Sequence, residues 1–255
     1  MPVELTLTAL PGIPLVQAGD DLPELIIASL ERIPLRLVDG DVVVLAQKIV
    51  SKAEGRRVDL NTVVPGSEAL NLAEETGKDA RLLHVILGES AGVVRSRPGL
   101  VIVEHKLGFI CANAGVDHSN VSGHPDGDWV LLLPEDPDAS ASRMRSALEN
   151  HFHARLGVLV IDSHGRAWRN GTVGVAIGVA GFPAVLDLRG EPDLYGDALR
   201  VTQVGAADEL AAAASIVMGQ AGEGRPAVLA RGWPYSLGEG SLKDILRPEE
   251  MDLFR

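Results

Sequence analysis

The chain has 255 residues, of which 46% are hydrophobic and 23% are charged, a composition typical of a globular protein with a substantial core. Its formal net charge of −12 excludes a general nucleic-acid-binding protein, which needs a basic surface, but allows a local site for one nucleotide. The single cysteine, Cys111, excludes an internal disulfide framework, and the start of the chain lacks a signal-peptide pattern, so we expect a cytoplasmic protein.

The first part of the chain predicts two strands around a helix. Residues 3–10 alternate apolar and polar side chains, as a half-buried strand does. Residues 20–33, DDLPELIIASLERI, predict a helix capped by Asp20 or Asp21. Residues 41–52, DVVVLAQKIVSK, are rich in β-branched residues and predict a strand with a polar end.

The middle of the chain predicts two helices and then several strands. Apolar residues recur every three or four positions in residues 66–77 and 79–90, which is typical of helices. Four runs rich in β-forming residues follow, separated by loops with Gly or Pro, and this pattern predicts antiparallel pairing. The runs are VVRSR, LVIVEH, LGFICANAGVD and WVLLLP.

The next segments predict a helix and a strand with polar residues at its end. Residues 136–152 predict a helix capped near Asp138 or Ser140. The apolar run 158–161 predicts a strand that ends at Asp162, with Gly165 turning the chain soon afterwards.

Residues 172–181, TVGVAIGVAG, predict a strand with one almost bare face. Gly174, Ala176, Gly178 and Ala180 share that face in a regular strand, so a backbone, a helix or a ligand can approach it closely. Close packing against a second sheet or a partner subunit is the plainer interpretation.

The C-terminal part predicts further strands and two helices. PAVLDL and LRVTQV predict strands, AADELAAAASIVMG predicts a helix, and SLKDILRPEEMDLF predicts a helix interrupted at Pro248. With no internal repeat and no long linker, we expect one domain over residues 1–255.

Two segments carry candidate metal ligands. Asp162 and Ser163 offer two oxygens to a hard cation, although a helix cap or an Asx-turn explains them equally well. In NAGVDHSN, Asp117 is a candidate ligand, and Asn113 or Asn120 can donate to a phosphate or a base; a plain turn is the alternative.

Two other segments carry candidate phosphate-binding groups. Lys48, Lys52 and Arg56 recur every four residues and suit phosphate oxygens, unless they form a solvated basic edge. The glycine-rich residues 218–225 can present backbone amides to an anion, or can simply cap the preceding helix. No Walker loop, zinc-binding pattern or serine-hydrolase elbow occurs in the sequence, and Cys111 is expected in the core.

Taken in order, several stretches resemble the coenzyme F420-0:L-glutamate ligase (F420 gamma-glutamyl ligase) family over nearly the whole chain. Each is weak alone, but together they are specific. They are LPGIPLV, GDVVVLAQKIVSKAEGR, NAGVDHSNV, LLLPEDPDASA, GVLVIDSHGRAWRNGTVGVAIGVAG, DLYGDALRVT and ADELAAAASIVMGQAGEGRPAVLARG.

The resemblance implies a fold and an activity. The fold is α+β, with mixed, largely antiparallel sheets and flanking helices, assembled as an interwoven homodimer. The activity is GTP-dependent attachment of L-glutamate to coenzyme F420-0 through an amide, by way of an acyl phosphate, and extension of a gamma-linked glutamate tail. It implies Mg²⁺ or Mn²⁺ as the divalent cation, with K⁺ as a further candidate, and no C-terminal reductase-like domain.

The resemblance also implies the roles of particular residues. Asp117, Asp162 and Ser163 stand at metal-ligand positions, and Gln220 stands where the family often has a glutamate ligand. The positions that bind GTP are Ile13, Pro14, Leu15, Val16, Gln47, Lys48, Lys52, Asn120, Met218, Gly219, Gln220, Ala221, Gly222, Glu223, Gly224 and Arg225.

Two departures from the family pattern keep alternatives open. Asp197 stands at a position that is commonly arginine, which favours a related ligase acting on another carboxylated metabolite. Gln220 offers only a neutral carbonyl oxygen, which favours a non-catalytic protein that binds a nucleotide or a deazaflavin. No general base is indicated; His164 and solvent are both candidates.

Overall fold

The computed structural model describes residues 3–121 and 127–253. In chain order the strands and helices are β1 (Thr6–Ala9), α1 (Leu22–Leu30), β2 (Val42–Ala46), α2 (Gln47–Ala53), β3 (Arg57–Asp59), α3 (Ser67–Thr76), α4 (Ala80–Gly88), β4 (Ser90–Arg97), β5 (Leu100–His105), β6 (Ile110–Ala112), β7 (Trp129–Leu131), α5 (Pro137–Phe152), β8 (Gly157–Arg166), β9 (Arg169–Ala180), β10 (Leu186–Asp187), β11 (Gln203–Val204), α6 (Ala206–Met218) and β12 (Ala227–Arg231).

A five-stranded sheet with the order β1-β12-β2-β8-β9 forms the centre of the molecule. Its neighbouring strands are antiparallel except for β2 and β8, which run parallel. Among the described residues, three smaller antiparallel sheets, β4-β5-β6, β3-β7 and β10-β11, lie outside it. The predicted mixed α+β fold with largely antiparallel sheets is therefore confirmed.

Helices cover both faces of the central sheet. Val43 and Leu45 of β2 pack in the core that contains α1 and α5, whereas Val42 and Val44 pack in the core that contains α6. A strand buried on both faces needs apolar residues throughout, which explains the unbroken run VVVL. A third core joins α3 and α4 to β5. Within the described residues, none of the helices has both the length and the apolar character needed to cross a membrane.

The segment predicted as one strand over residues 41–52 is a strand followed by a helix. The strand β2 ends at Ala46, and α2 begins at Gln47. Helical spacing therefore places Lys48 and Lys52 on one side of α2. Ile49 and Val50 are buried in the helix, so β-branched residues there reflect burial and not strand pairing.

The strand predicted to end at Asp162 continues to Arg166. In the β8–β9 hairpin, Asp162 lies opposite Val175 and Ser163 lies opposite Gly174. The turn follows Arg166, and its residue Trp168 has a φ of 64°. Asp162 and Ser163 are thus held by a strand ladder, and neither of the local alternatives, a cap or an Asx-turn, describes them.

The structure corrects the capping residue of α5 and the type of the predicted C-terminal element. Asp136, and neither Asp138 nor Ser140, caps α5 by accepting a hydrogen bond from the Ala139 N–H, because Pro137 fits the first helical position. The predicted C-terminal helix is instead a pair of 3₁₀ turns, Leu242–Asp244 and Glu249–Met251. For α1, Asp21 is the cap.

The small residues of β9 allow two helices to approach the sheet. A Cβ atom on Gly174 would lie 2.4 Å from the Ala211 carbonyl oxygen of α6, and one on Gly178 would lie 2.5 Å from the Pro137 backbone of α5. The two glycines face opposite helices because the β8–β9 register shifts at Val160 and Ile161. The predicted close approach is confirmed, but the prediction that the four small residues of β9 share one face is wrong.

The substitution Gly178→Ala is expected to lower the free energy of unfolding by about 1–3 kcal/mol, because the added methyl group forces β9 away from α5. Urea unfolding measures the change. Gly165→Ala in β8 is the control, since no atom lies within 4 Å of its added Cβ. Equal stability of the two variants would contradict this packing.

Candidate functional site

A cavity of about 420 Å³ lies where the carboxyl ends of the parallel strands β2 and β8 meet. Its volume is in the range typical of small-molecule sites. Four separate parts of the chain supply most of the wall: residues 13–16, the start of α2, the 161–163 part of β8 and the loop 218–226. We call this cavity the main pocket.

The main pocket brings together residues that the sequence analysis could only nominate one by one. Every position at which the family resemblance implies GTP binding lines it, and so do three of the four nominated metal ligands. Asp117 is outside the lining but touches it through Lys48. The residues concerned are Ile13, Pro14, Leu15, Val16, Gln47, Lys48, Lys52, Asn120, Asp162, Ser163 and Met218 to Arg225.

One wall of the main pocket is basic. Lys48 lies 2.6 Å from the Asp117 carboxylate and donates a second hydrogen bond of 2.6 Å to the Ser119 hydroxyl. Ser119 in turn donates its backbone N–H to Asp117. Burial acts to raise the pKa of the Asp117 carboxyl, but the hydrogen bonds from Lys48 and Ser119 outweigh it and lower the pKa.

Lys52 stands one helical turn beyond Lys48 on the same wall. Burial, together with the nearby charges of Arg57 and Lys48, lowers the pKa of its ammonium group. A cluster of three cations in an acidic protein suits an anionic group of a ligand, since a ligand phosphate would relieve their mutual repulsion.

Another part of the pocket wall carries oxygen atoms that can act as metal ligands, and we call it the oxygen-rich wall. Asp162 Oδ2 lies 3.0 Å from His164 Nε2, and both side chains are largely buried. The Ser163 hydroxyl donates a hydrogen bond of 2.8 Å to Gln220 Oε1. The His164 ring also contacts Phe109, with the ring centroids 5.3 Å apart. This packing fixes the ring that holds the Asp162 carboxylate.

The oxygen atoms of this wall fit a hard divalent cation whose remaining ligands are phosphate oxygens. Asp162, Ser163 and Gln220 present a carboxylate, a hydroxyl and an amide oxygen, and Asp117 lies beyond Lys48. No group of three or more His, Cys, Asp or Glu residues suited to a metal occurs in the described part of the chain. Magnesium commonly needs only one or two carboxylates beside phosphate oxygens.

The glycine-rich loop after α6 completes the pocket. Gly219 and Gly224 adopt φ angles of 78° and 66°, which glycine tolerates without strain. The Glu223 carboxylate accepts a hydrogen bond of 2.8 Å from the Ala221 N–H, and this backbone contact lowers its pKa. The Ala221 amide is therefore already bound to a carboxylate of the same loop, and Gly219 of this loop caps α6.

Residues 12–232 match the family model described as F420-0:Gamma-glutamyl ligase. The Coenzyme F420:L-glutamate ligase of Methanothermobacter thermautotrophicus is 48% identical over 253 residues, which cover 98% of this chain and 99% of that protein. The protein belongs to the F420-0:gamma-glutamyl ligase family. Proteins of the same name from Methanocaldococcus jannaschii and Archaeoglobus fulgidus are 44% and 43% identical, over 85% and 96% of this chain and 85% and 94% of theirs.

Three of the residues nominated from the sequence lie away from the main pocket. Arg56 comes after the end of α2 and pairs with Glu89 at 2.5 Å. Asn113 begins a left-handed turn, with a φ of 53°. Asp197 lies on an exposed segment, and its backbone N–H bonds to Asp193. The expectation that Cys111 is a core residue is confirmed, and burial raises the pKa of its thiol to about 12.

The sequence analysis missed Ser119 and the wall residue Ser215. Ser119 holds Lys48 and Asp117 together through three hydrogen bonds. The spacing Asp117-His118-Ser119 was a usable signal, because an aspartate often accepts a hydrogen bond from the N–H two residues later. Ser215 lines the pocket from α6 and carried no such signal.

Proposed function

We propose that the protein is a GTP-dependent ligase that joins L-glutamate to coenzyme F420-0 through an amide and extends a gamma-linked glutamate tail. The family membership supports the acceptor and the amino acid. One structural observation carries the nucleotide part: positions dispersed between residues 13 and 225 converge on one cavity with a basic wall and an oxygen-rich wall.

The proposed chemistry has two steps. A carboxylate oxygen of F420-0 attacks the γ-phosphorus of GTP, and the bond from that phosphorus to the bridging oxygen breaks, so that an acyl phosphate and GDP form. The glutamate amine then attacks the acyl carbon, phosphate leaves, and the nitrogen loses a proton. Activation is needed because a carboxylate does not react directly with an amine in water, and phosphoryl transfer depends on positioning and on charge stabilisation.

The two walls have different roles in this chemistry. Lys48 and Lys52 bind and orient phosphate oxygens from the basic wall. Asp117, Asp162, Ser163 and Gln220 are the residues that would hold Mg²⁺ or Mn²⁺, and such a cation, when bound, neutralises charge on phosphate oxygens. His164 holds the Asp162 carboxylate in place through the 3.0 Å contact.

Mass spectrometry of the products tests the proposal. The protein is incubated with GTP, Mg²⁺ or Mn²⁺, L-glutamate and F420-0, and we expect F420 species that carry one and then more glutamate residues, with equimolar GDP. Reactions that lack GTP, that lack glutamate, or that contain ATP are the controls. GDP formation with another carboxylated acceptor alone would favour the related ligase, and nucleotide binding without any turnover would favour the non-catalytic protein.

We further propose that the protein acts as a homodimer. Residues 188–204 form an exposed arm in which Leu194, Tyr195 and Val201 are 100%, 92% and 84% exposed. The arm is held mainly by hydrogen bonds within itself, such as that from the Gly190 N–H to the Leu199 carbonyl. Large apolar side chains concentrated on one projecting segment are typical of a surface that another chain covers.

The double substitution Leu194→Ser and Tyr195→Ser is expected to convert a dimer into a monomer in size-exclusion chromatography with light scattering, because it removes most of the apolar surface of the arm. Val64→Ser is the control, since Val64 is also 84% exposed but lies outside the arm. A monomeric wild-type protein at micromolar concentration would refute the dimer.

A further inference from the structure

Two carboxylates hold the strand β9 from outside the central sheet. Among the described strands, β9 stands at one edge of this sheet, so the N–H groups on its outer side have no strand to bind. Asp208 of α6 accepts a hydrogen bond of 2.9 Å from the Ala176 N–H. Asp138 of α5 accepts one of 2.7 Å from the Val179 N–H. Each helix is therefore tied to the edge strand by one side chain, which satisfies an N–H group that needs an acceptor.

The two carboxylates bind β9 on opposite sides of a β-bulge. The β8–β9 register shifts at Val160 and Ile161, which leaves Ile177 as an extra residue of β9. Asp208 binds the part of β9 that pairs with the β8 residues of the oxygen-rich wall. Asp138 binds the part that pairs with β8 before that wall. Because a bulge sets the direction of the side chains beside it, the contact made by Asp208 is the one that bears on the wall.

The helix that carries Asp208 also brings Gln220 to the oxygen-rich wall. Gln220 stands two residues beyond the end of α6, and its Oε1 accepts the 2.8 Å hydrogen bond from the Ser163 hydroxyl. In between, α6 lies directly on β9, since a Cβ atom on Gly174 would collide with the Ala211 carbonyl oxygen. A packed helix moves as a nearly rigid element, so the point at which Asp208 holds it sets where Gln220 meets Ser163.

The Asp208 carboxylate is close to the group that holds Asp162. Burial raises the pKa of Asp208, and the Ala176 N–H and the charge of His164 offset only part of this effect. His164 is the side chain that lies 3.0 Å from Asp162. Asp208 is thus bonded to the strand that pairs with the wall and is near a side chain that contacts the wall.

We propose that Asp208 is a positioning residue for the oxygen-rich wall. Its hydrogen bond to the Ala176 N–H fixes both the bulge of β9 and the first turn of α6. The bond thereby sets the spacing between the two wall residues of β8 and Gln220. The use of this wall by a divalent cation rests on the proposed function, whereas the positioning itself does not.

Amide hydrogen exchange of the full chain, read by mass spectrometry of its peptides, tests the positioning without a ligand. Asp208→Ala removes the acceptor and is expected to speed exchange by about 10-fold both in residues 172–178 and in residues 218–225. Asp208→Asn keeps an acceptor oxygen for the Ala176 N–H and is expected to exchange as the wild type does. Asp138→Ala is the matched control, and it is expected to leave residues 218–225 unchanged.

Mn²⁺ binding in the presence of GDP, followed by electron paramagnetic resonance, tests the effect on the wall. We expect Asp208→Ala to raise the Kd for Mn²⁺ by about 10-fold or more, as is usual when a group that orients metal ligands is removed. Asp208→Asn and Asp138→Ala are expected to bind Mn²⁺ as the wild type does. Equal losses in Asp208→Ala and Asp138→Ala would mean that general loosening of β9 is responsible, and an equal loss in Asp208→Asn would assign the effect to charge; either result would overturn the proposal.

The proposed function and this role of Asp208 fail on different results. If the wild type binds no Mn²⁺ in the presence of GDP, the metal part of the proposed function is refuted, and hydrogen exchange alone decides the role of Asp208. If exchange in residues 218–225 is the same in the wild type and in Asp208→Ala, the positioning is refuted and the metal site is not. Should Asp208→Ala fail to fold in a thermal-unfolding control, Asp208→Glu takes its place with the same expected changes, because it keeps the charge but moves the acceptor by one methylene group.

Discussion

Replacement of Asp162 by asparagine is expected to lower kcat/KM for GTP-dependent glutamylation by about 10²–10³-fold. Asparagine has nearly the same shape, and its amide oxygen still accepts from His164 Nε2 over the 3.0 Å contact. The packing of β8 and the position of the side chain are therefore preserved. The negative charge alone is lost, and with it the strongest ligand that the oxygen-rich wall offers to a divalent cation.

The rate is measured by mass spectrometry over a series of Mg²⁺ and Mn²⁺ concentrations. If Asp162 acts through a cation, high concentrations of metal restore part of the lost rate, because weaker ligation is offset by mass action. Asp187→Asn is the matched control, since Asp187 lies on β10 and is paired with the exposed Arg189. A rate equal to that of the wild type at every metal concentration would exclude Asp162 from the site.

The position of Asp162 illustrates what could and could not be predicted from the sequence. Asp162 was nominated as a metal ligand because its carboxylate directly follows the apolar run of residues 158–161. The sequence analysis ended the strand there, because polar residues and a glycine follow. The structure continues β8 for four more residues, since β9 pairs with it along the whole hairpin. Pairing with a distant segment decides this, and local composition does not report it.

The basic wall is a second case in which the local sequence did not predict the contacts. The sequence analysis grouped Lys48, Lys52 and Arg56 by their four-residue spacing and predicted a strand for the segment that holds the two lysines. The segment forms the helix α2, which ends at Ala53, so Lys48 and Lys52 line the main pocket, whereas Arg56 lies outside it and pairs with Glu89. The ion pair from Lys48 to Asp117 joins residues far apart in the chain, and no local pattern predicts it.

The main pocket itself followed from the resemblance and not from any one motif. Each of its segments had a plain structural alternative, and several of those alternatives also hold: Gly219 follows the end of α6 as a cap residue and lines the pocket. The register shift in β9, which turns Gly174 and Gly178 toward different helices, depends on packing across two layers. Periodicity alone cannot reveal such a shift.

The substitution Lys52→Met is expected to lower kcat/KM for GTP by about 10²–10³-fold at neutral pH. Methionine keeps most of the apolar stem of the lysine but removes the ammonium group that faces the main pocket. Steady-state kinetics with GTP as the varied substrate measures the loss. Lys243→Met is the control, because Lys243 is exposed on the 3₁₀ turn near the C-terminus.

The pH dependence of the wild type identifies Lys52 independently. Burial and the charges of Arg57 and Lys48 lower its pKa from the ordinary value of 10.5, so Lys52 loses its proton at a lower pH than a lysine in water. In the proposed reaction the charged form of Lys52 binds phosphate, so its contribution to kcat/KM is complete below the folded pKa and is lost as the pH rises through it. We therefore expect an alkaline fall in kcat/KM that begins below the usual range for lysine.

The variant Lys52→Arg assigns this fall to one residue. Arginine stays protonated throughout the accessible range, so the variant is expected to keep part of the GTP-dependent rate and to lose the fall that Lys52 causes. Titration of the nucleotide itself is the same for both proteins, so the difference between the two profiles reports Lys52 alone. Identical profiles for the wild type and Lys52→Arg would show that this ammonium group does not contact the nucleotide.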